Sequence, residues 1–109
     1  VESANEAVRR VAAEVARTAG YEHVEAAFLE LGQPDLEGAV VQLMARGVTR
    51  VLVVPYFLTL GMHLERDLPV VLKGIAERHP GVEVRATAPL DGHPALVEIV
   101  ADRVRGGWK

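Results

Sequence analysis

Apolar residues recur at helical spacing in four stretches of the chain, and three short apolar runs stand between them. In the first stretch Val8, Val11, Ala12, Val15 and Ala19 share one face, Ser3 and Glu6 have the spacing of a capping box, and Gly20 is the expected stop. His23 to Glu30 is short, mostly apolar and bounded by Gly32 and Pro34, which predicts a strand. Leu36, Ala39, Val40, Leu43 and Met44 form the stripe of a second helix running to Gly47, with Pro34 at its first position and Asp35 and Glu37 favouring its N-terminal dipole. Val51 to Phe57 is a continuous apolar run with β-branched residues, the pattern of a central parallel strand covered on both faces. Pro55 has no N–H, so regular pairing is expected to end near it. Leu68, Val71, Leu72, Ile75 and Ala76 mark a third helix stopped by Pro80 and Gly81. Val82 to Ala88 alternates like an edge strand, and Leu96, Ile99, Val100 and Val104 mark a last helix from Pro94 to Val104.

The expected order is α-β-α-β-α-β-α, with short connections and no repeat or linker. That alternation predicts a single domain over residues 1–109, built on a parallel sheet with helices on both faces. The first helix has no strand in front of it from which to cross over. The pattern therefore predicts a further strand and loop upstream of Val1, which is itself not a methionine.

Composition then narrows the chemistry. With no cysteine in 109 residues, zinc ribbons, iron–sulfur clusters and thiol nucleophiles are excluded. Fifteen acidic residues against twelve basic ones, with no basic run, leave no footprint for nucleic acid. No apolar stretch approaches the ~20 residues of a membrane span and no signal-peptide pattern is present, so a soluble, cytoplasmic protein without a membrane partner is expected. The glycine motifs of dinucleotide and P-loop sites and the serine elbow of hydrolases are missing, and Ser3 is the only serine.

Ligands of open α/β sheets bind beyond the carboxyl ends of the strands, which points to residues 30–34, 58–67 and 89–94. Leu58 to Leu64 is an unusually apolar loop, and His63 is expected just before a helix whose first turn holds Glu65 and Asp67. An imidazole there can hold a divalent metal or exchange protons near neutral pH; the alternative is a partly buried ring bonded to a neighbouring carbonyl. Glu30, at the end of its expected strand, reaches the same edge as a metal ligand or proton acceptor, or is an ordinary solvated acid. His93 either lines this edge or caps the last helix. His79, at a helix C-terminus, reads as structural, and His23, on the opposite edge, as solvated.

Three segments together resemble a known family. They are Phe28-Leu29-Glu30-Leu31-Gly32-Gln33-Pro34; Val53-Val54-Pro55-Tyr56-Phe57-Leu58 with Gly61-x-His63 and Asp67-Leu68-Pro69; and Ala88-Pro89-Leu90-Asp91-Gly92-His93-Pro94. In order and spacing they look like the small CbiX/SirB-type chelatases of sirohydrochlorin. The resemblance implies a flavodoxin-like three-layer sandwich, a homodimer, and insertion of Co²⁺, or in related members Fe²⁺ or Ni²⁺, into the tetrapyrrole. The metal is then a substrate, and no cofactor is permanently bound. The resemblance assigns His63 to metal binding and to deprotonation of pyrrole nitrogens, with Glu30 as a further contributor. The family's second histidine belongs to a His-Gly-Ser segment at the end of its first strand, which would lie upstream of Val1.

The chemistry of these residue types agrees with that assignment. A chelatase must release its metal, so one or two imidazoles and a carboxylate suit it better than a closed four-ligand cage. Leu60, Gly61, Met62 and Leu64 are expected along the macrocycle face, Arg66 or N–H groups at a helix start at its carboxylates, and His93 as a further substrate contact. The leading expectation is a sirohydrochlorin cobaltochelatase of cobalamin biosynthesis. The alternatives are a ferrochelatase of sirohaem synthesis, a metal- or tetrapyrrole-binding module without turnover, and an interaction domain using the Leu58 to Leu64 loop as a dimer contact.

Overall fold

A computed structural model of the chain describes residues 2–58 and 60–109; Val1, the non-methionine start, and Thr59, within the apolar loop, lie outside the described residues. The elements run α1 (Glu2–Ala19), α2 (Leu36–Ala45), β1 (Arg50–Val53), α3 (Met62–Arg78), β2 (Glu83–Ala86) and α4 (Pro94–Gly106). β1 and β2 pair in parallel, Val51 opposite Val84 and Val53 opposite Ala86. The parallel α/β architecture is the one expected.

The core sits where three elements meet. Val40 of α2, Ile75 of α3 and Val82, just before β2, are buried together, with Leu36, Met44, Val51 and Val84 packed against them. Val51 and Val84 are register partners, so they point to one face of the strand pair, and α2 and α3 cover that face. Leu68 and Leu72 continue the buried line along α3 at helical spacing. The ends of α2 are set by local chemistry: the Asp35 carboxylate accepts a hydrogen bond from the Gly38 N–H at 2.7 Å, and Gly47 adopts a positive φ of 88° beyond the last turn. Pro34 thus precedes the cap and does not occupy the first helical position. Pro69 lies inside α3 and, having no N–H, leaves the Glu65 carbonyl without its helical donor.

A polar clamp closes the same junction from outside. Glu37 accepts two hydrogen bonds from Arg78, at 2.9 and 2.8 Å, and its Oε2 lies 2.7 Å from Nε2 of His79. The forked guanidinium contact, then the imidazole, holds the Glu37 carboxyl down from 4.5 to about 2. His79 is structural, as the sequence implied.

Several expected features form differently. Residues 23–27 make no strand; Phe28 makes only an isolated bridge to Asp35. A strand persists only in a ladder, and this segment has one β-branched residue, Val24, and two alanines that favour other states. It is tied instead by Glu25 to Arg46 at 3.1 Å. β1 in consequence pairs only with β2 among the described residues, rather than lying centrally, and its second face is open, Leu52 being 63% exposed. Regular pairing stops before Pro55, as expected. Ser3 is inside α1 and Glu6 pairs with Arg9, so no capping box forms. His23 is half-buried rather than solvated, and its Nδ1 has no partner among the described residues.

α4 buries no residue, and Ile99, Val100 and Val104 face outward. The radius of gyration is 15.6 Å, against about 13 Å for a compact chain of this length. No helix among the described residues is long and apolar enough to cross a membrane.

Two outcomes follow for stability. Ile75→Ala should cost about 2–5 kcal/mol in urea unfolding, because it empties the centre of a small core. Glu37 is more acidic in the folded chain than in the unfolded one, so its stabilisation is fully present above pH 4.5 and is lost as pH falls towards 2. Thermal melts of wild type should therefore decline over that window more steeply than those of Glu37→Gln.

Candidate functional site

The loops after β1 and β2 lie side by side. The Leu90 N–H donates to the Phe57 carbonyl at 3.0 Å, and the Thr87 N–H to that of Val53 at 2.9 Å. This brings two of the three segments expected to bind a ligand, 58–67 and 89–94, to one edge of the sheet. Tyr56, Phe57 and Leu58 are exposed there, an apolar lip continued by Met62, which is 86% exposed at the start of α3.

Gly61 is the N-cap of α3, and its carbonyl accepts from the Glu65 N–H at 3.0 Å without any side-chain cap. His63 is consequently inside the first turn of the helix and not ahead of it. It is exposed, and with Met62, Glu65 and Arg66 it lines a shallow depression of about 490 Å³. Leu60, just ahead of Gly61, is half-buried. No neighbouring carbonyl takes the imidazole among the described contacts: Nδ1 of His63 lies 3.0 Å from Nη2 of Arg66, three residues on and hence on the same helical face. Arg66 also reaches Asp67, Nε to Oδ1, at 3.0 Å.

His93 takes the second of its two expected roles. It is the N-cap of α4, and its Nδ1 accepts from the Ala95 N–H at 3.0 Å, ahead of Pro94 at the first helical position. With the Nδ1 lone pair so engaged, the neutral ring carries its proton on Nε2. It offers a ligand an N–H donor, the polarity that suits a carboxylate.

Glu30 is exposed and lies in the loop between Phe28 and Asp35, not at a strand end. The Phe28 N–H closes this loop on the Pro34 carbonyl at 3.0 Å. Glu30 does not line the His63 depression, and no group of three or more His, Asp or Glu side chains is gathered among the described residues.

What holds the Glu30 loop was not apparent from the pattern. Asn5, buried on α1, donates from Nδ2 to the Leu31 carbonyl at 2.7 Å, and Arg9 stands 5.2 Å over the Phe28 ring. A polar residue opening an otherwise exposed helix face is the only sequence sign of Asn5's role. Gly32 passes so close that a Cβ there would meet Asn5 Nδ2 and the Phe28 ring at 2.7 Å each.

The architecture is therefore that of a parallel α/β protein whose strand-end edge, where ligands are expected, carries two exposed histidines at helix starts, His63 on α3 and His93 at the N-cap of α4. The family model of CbiX matches residues 1–106, and the chain belongs to that family. It is 36% identical over 86 residues to the chloroplastic sirohydrochlorin ferrochelatase of Arabidopsis thaliana, covering 79% of this chain and 38% of that protein. Against the sirohydrochlorin cobaltochelatase of Methanopyrus kandleri the identity is 29%, covering 90% of this chain and 82% of the other. A crystal structure of a CbiX protein from Marinobacter aquaeolei VT8 superposes with a TM-score of 0.81 at 29% identity, over 94% of this chain and 81% of that one. The chain spans only 38% and 30% of the ferrochelatases of Arabidopsis thaliana and Priestia megaterium.

Gly32→Ala tests how tightly the Glu30 loop is seated. The added methyl should cost about 1–3 kcal/mol in chemical unfolding, since neither Asn5 nor Phe28 can yield without losing its own contact.

Proposed function

We propose that this chain is a sirohydrochlorin chelatase that inserts Co²⁺ into the macrocycle, with both metal and tetrapyrrole as substrates. The observation that carries the reading is His63, exposed on the first turn of α3, in the Gly61-x-His63 and Asp67-Leu68-Pro69 setting of a chain that belongs to the CbiX family. An imidazole accepts divalent cobalt, iron or nickel, and a base with a pKa near 7 is an efficient acceptor for the two pyrrole protons that leave as the metal enters. In this reading His63 supplies the metal contact and, once the metal has passed to the macrocycle and its lone pair is free, accepts one of the two protons, the other leaving to water. Glu30 assists from its separate loop, and the family resemblance adds a second histidine outside these 109 residues.

The macrocycle lies along the apolar lip, against Leu60, Gly61 and Met62. Its peripheral carboxylates are met by the Arg66 guanidinium and the Nε2–H of His93, both donors with fixed polarity. The protein works as a homodimer, a reading supported by the open face of β1 and the outward apolar residues of α4.

Iron is the second reading, because the Arabidopsis thaliana relative is named a ferrochelatase. Time-resolved absorbance of sirohydrochlorin with Co²⁺ or Fe²⁺ separates the two: faster catalysed insertion of cobalt is expected, and faster insertion of iron would move the assignment. His63→Ala should lower the rate by about 10²–10³-fold while leaving macrocycle affinity nearly unchanged. Wild-type protein that does not exceed the spontaneous insertion rate would refute both.

A further inference from the structure

We propose that Arg66 is a positioning residue that withholds the His63 lone pair until a carboxylate draws the guanidinium away. The inference rests on the chelatase reading above and adds an order of events to it.

The argument begins with what the two groups can do. A guanidinium has five N–H donors and no acceptor, so in the 3.0 Å contact between Arg66 Nη2 and His63 Nδ1 the imidazole must be the acceptor. A neutral imidazole has one lone pair and one N–H. With its lone pair spent on Arg66, the proton of His63 is on Nε2, and neither ring nitrogen has an electron pair to offer a cation. A metal-ligating histidine shows the opposite polarity, its second nitrogen donating to a carboxylate or carbonyl. Ligation through Nε2 requires a proton on Nδ1, facing Arg66; ligation through Nδ1 requires the place Arg66 fills. Either mode requires the guanidinium to leave.

Arg66 is well placed to leave. It is exposed, its hold on His63 is a single bond, and its Nε stays anchored on Asp67 at 3.0 Å. A carboxylate entering the depression offers the Nη pair a charge-assisted contact, stronger than one to a neutral ring nitrogen. A carboxylate-bearing macrocycle that engages Arg66 thereby frees the imidazole to accept the metal. Macrocycle first and metal second is the order this contact favours, and it loosens the free protein's hold on cobalt until a macrocycle is there to receive it.

The test is the affinity of Co²⁺ alone, measured by calorimetry without tetrapyrrole at low and at 1 M salt, for wild type, Arg66→Ala and His63→Ala. Arg66→Ala should bind Co²⁺ roughly 5- to 10-fold more tightly than wild type, the fold-change of one net hydrogen bond. The gain should persist at 1 M salt, where the Debye length is ~3 Å and repulsion by an exposed charge is screened. The same variant should show a several-fold higher KM for sirohydrochlorin, opposite in sign to the metal effect. No gain, or a gain that vanishes at 1 M salt, overturns the proposal. If His63→Ala abolishes Co²⁺ binding and insertion while Arg66→Ala shows no gain, only the ordering fails. If His63→Ala changes neither, the chelatase reading of this site fails as well.

Discussion

The arrangement depends on one contact, the meeting of Val40, Ile75 and Val82. It is where α2 and α3 are pressed onto the Val51 and Val84 face of the strands, and it has little redundancy, because α1 and α4 add almost nothing to the buried apolar set. The ligand edge is held at a distance from that point. Ile75 and His63 are twelve residues apart on α3, ~18 Å along a helix axis. One helix therefore anchors the fold at its C-terminal half and presents the histidine at its N-terminal end.

The helices were legible because each shows a stripe at helical spacing, but the structure buries it only on two of them, at Val40 and Leu43 of α2 and Leu68, Leu72 and Ile75 of α3. Val11 and Val15 of α1 and Ile99, Val100 and Val104 of α4 stay exposed. The strands were legible only in part. Val51 and Val84 declare a buried face, but pairing is a property of two segments, and nothing in His23 to Glu30 records whether a neighbour reaches it. The apolar run at Leu52 and Val54 read as doubly covered for the same reason; a run of side chains specifies what a strand could bury, not what stands beside it. In the site, the Gly61-x-His63 spacing located the histidine, whereas Asn5 and Arg9, which hold the Glu30 loop, act across a separation that no local pattern encodes.

Three of the four histidines show how one residue type is given different work by its partners. His79 faces a carboxylate and serves the clamp between α2 and α3. His93 faces a backbone amide, which engages its Nδ1 and turns Nε2–H outward. His63 faces an exposed guanidinium on its own helix, the one partner of the three that is a cation and that an acidic ligand can compete for. Reading the site thus comes down to which ring nitrogen retains a lone pair, a question that the residue's identity and position leave open and its contacts answer.

Pro69 divides the long helix into two parts. It falls between the turn that carries His63 and Arg66 and the buried turns at Leu72 and Ile75, and it interrupts the hydrogen-bond ladder that would otherwise stiffen the two into one rod. The N-terminal turns are thereby joined to the rest of the helix with one backbone hydrogen bond fewer than an unbroken ladder would give. A buried Leu68 stands on the same side of that break as His63 and Arg66, so the N-terminal turns carry an anchor of their own beside the one at Ile75.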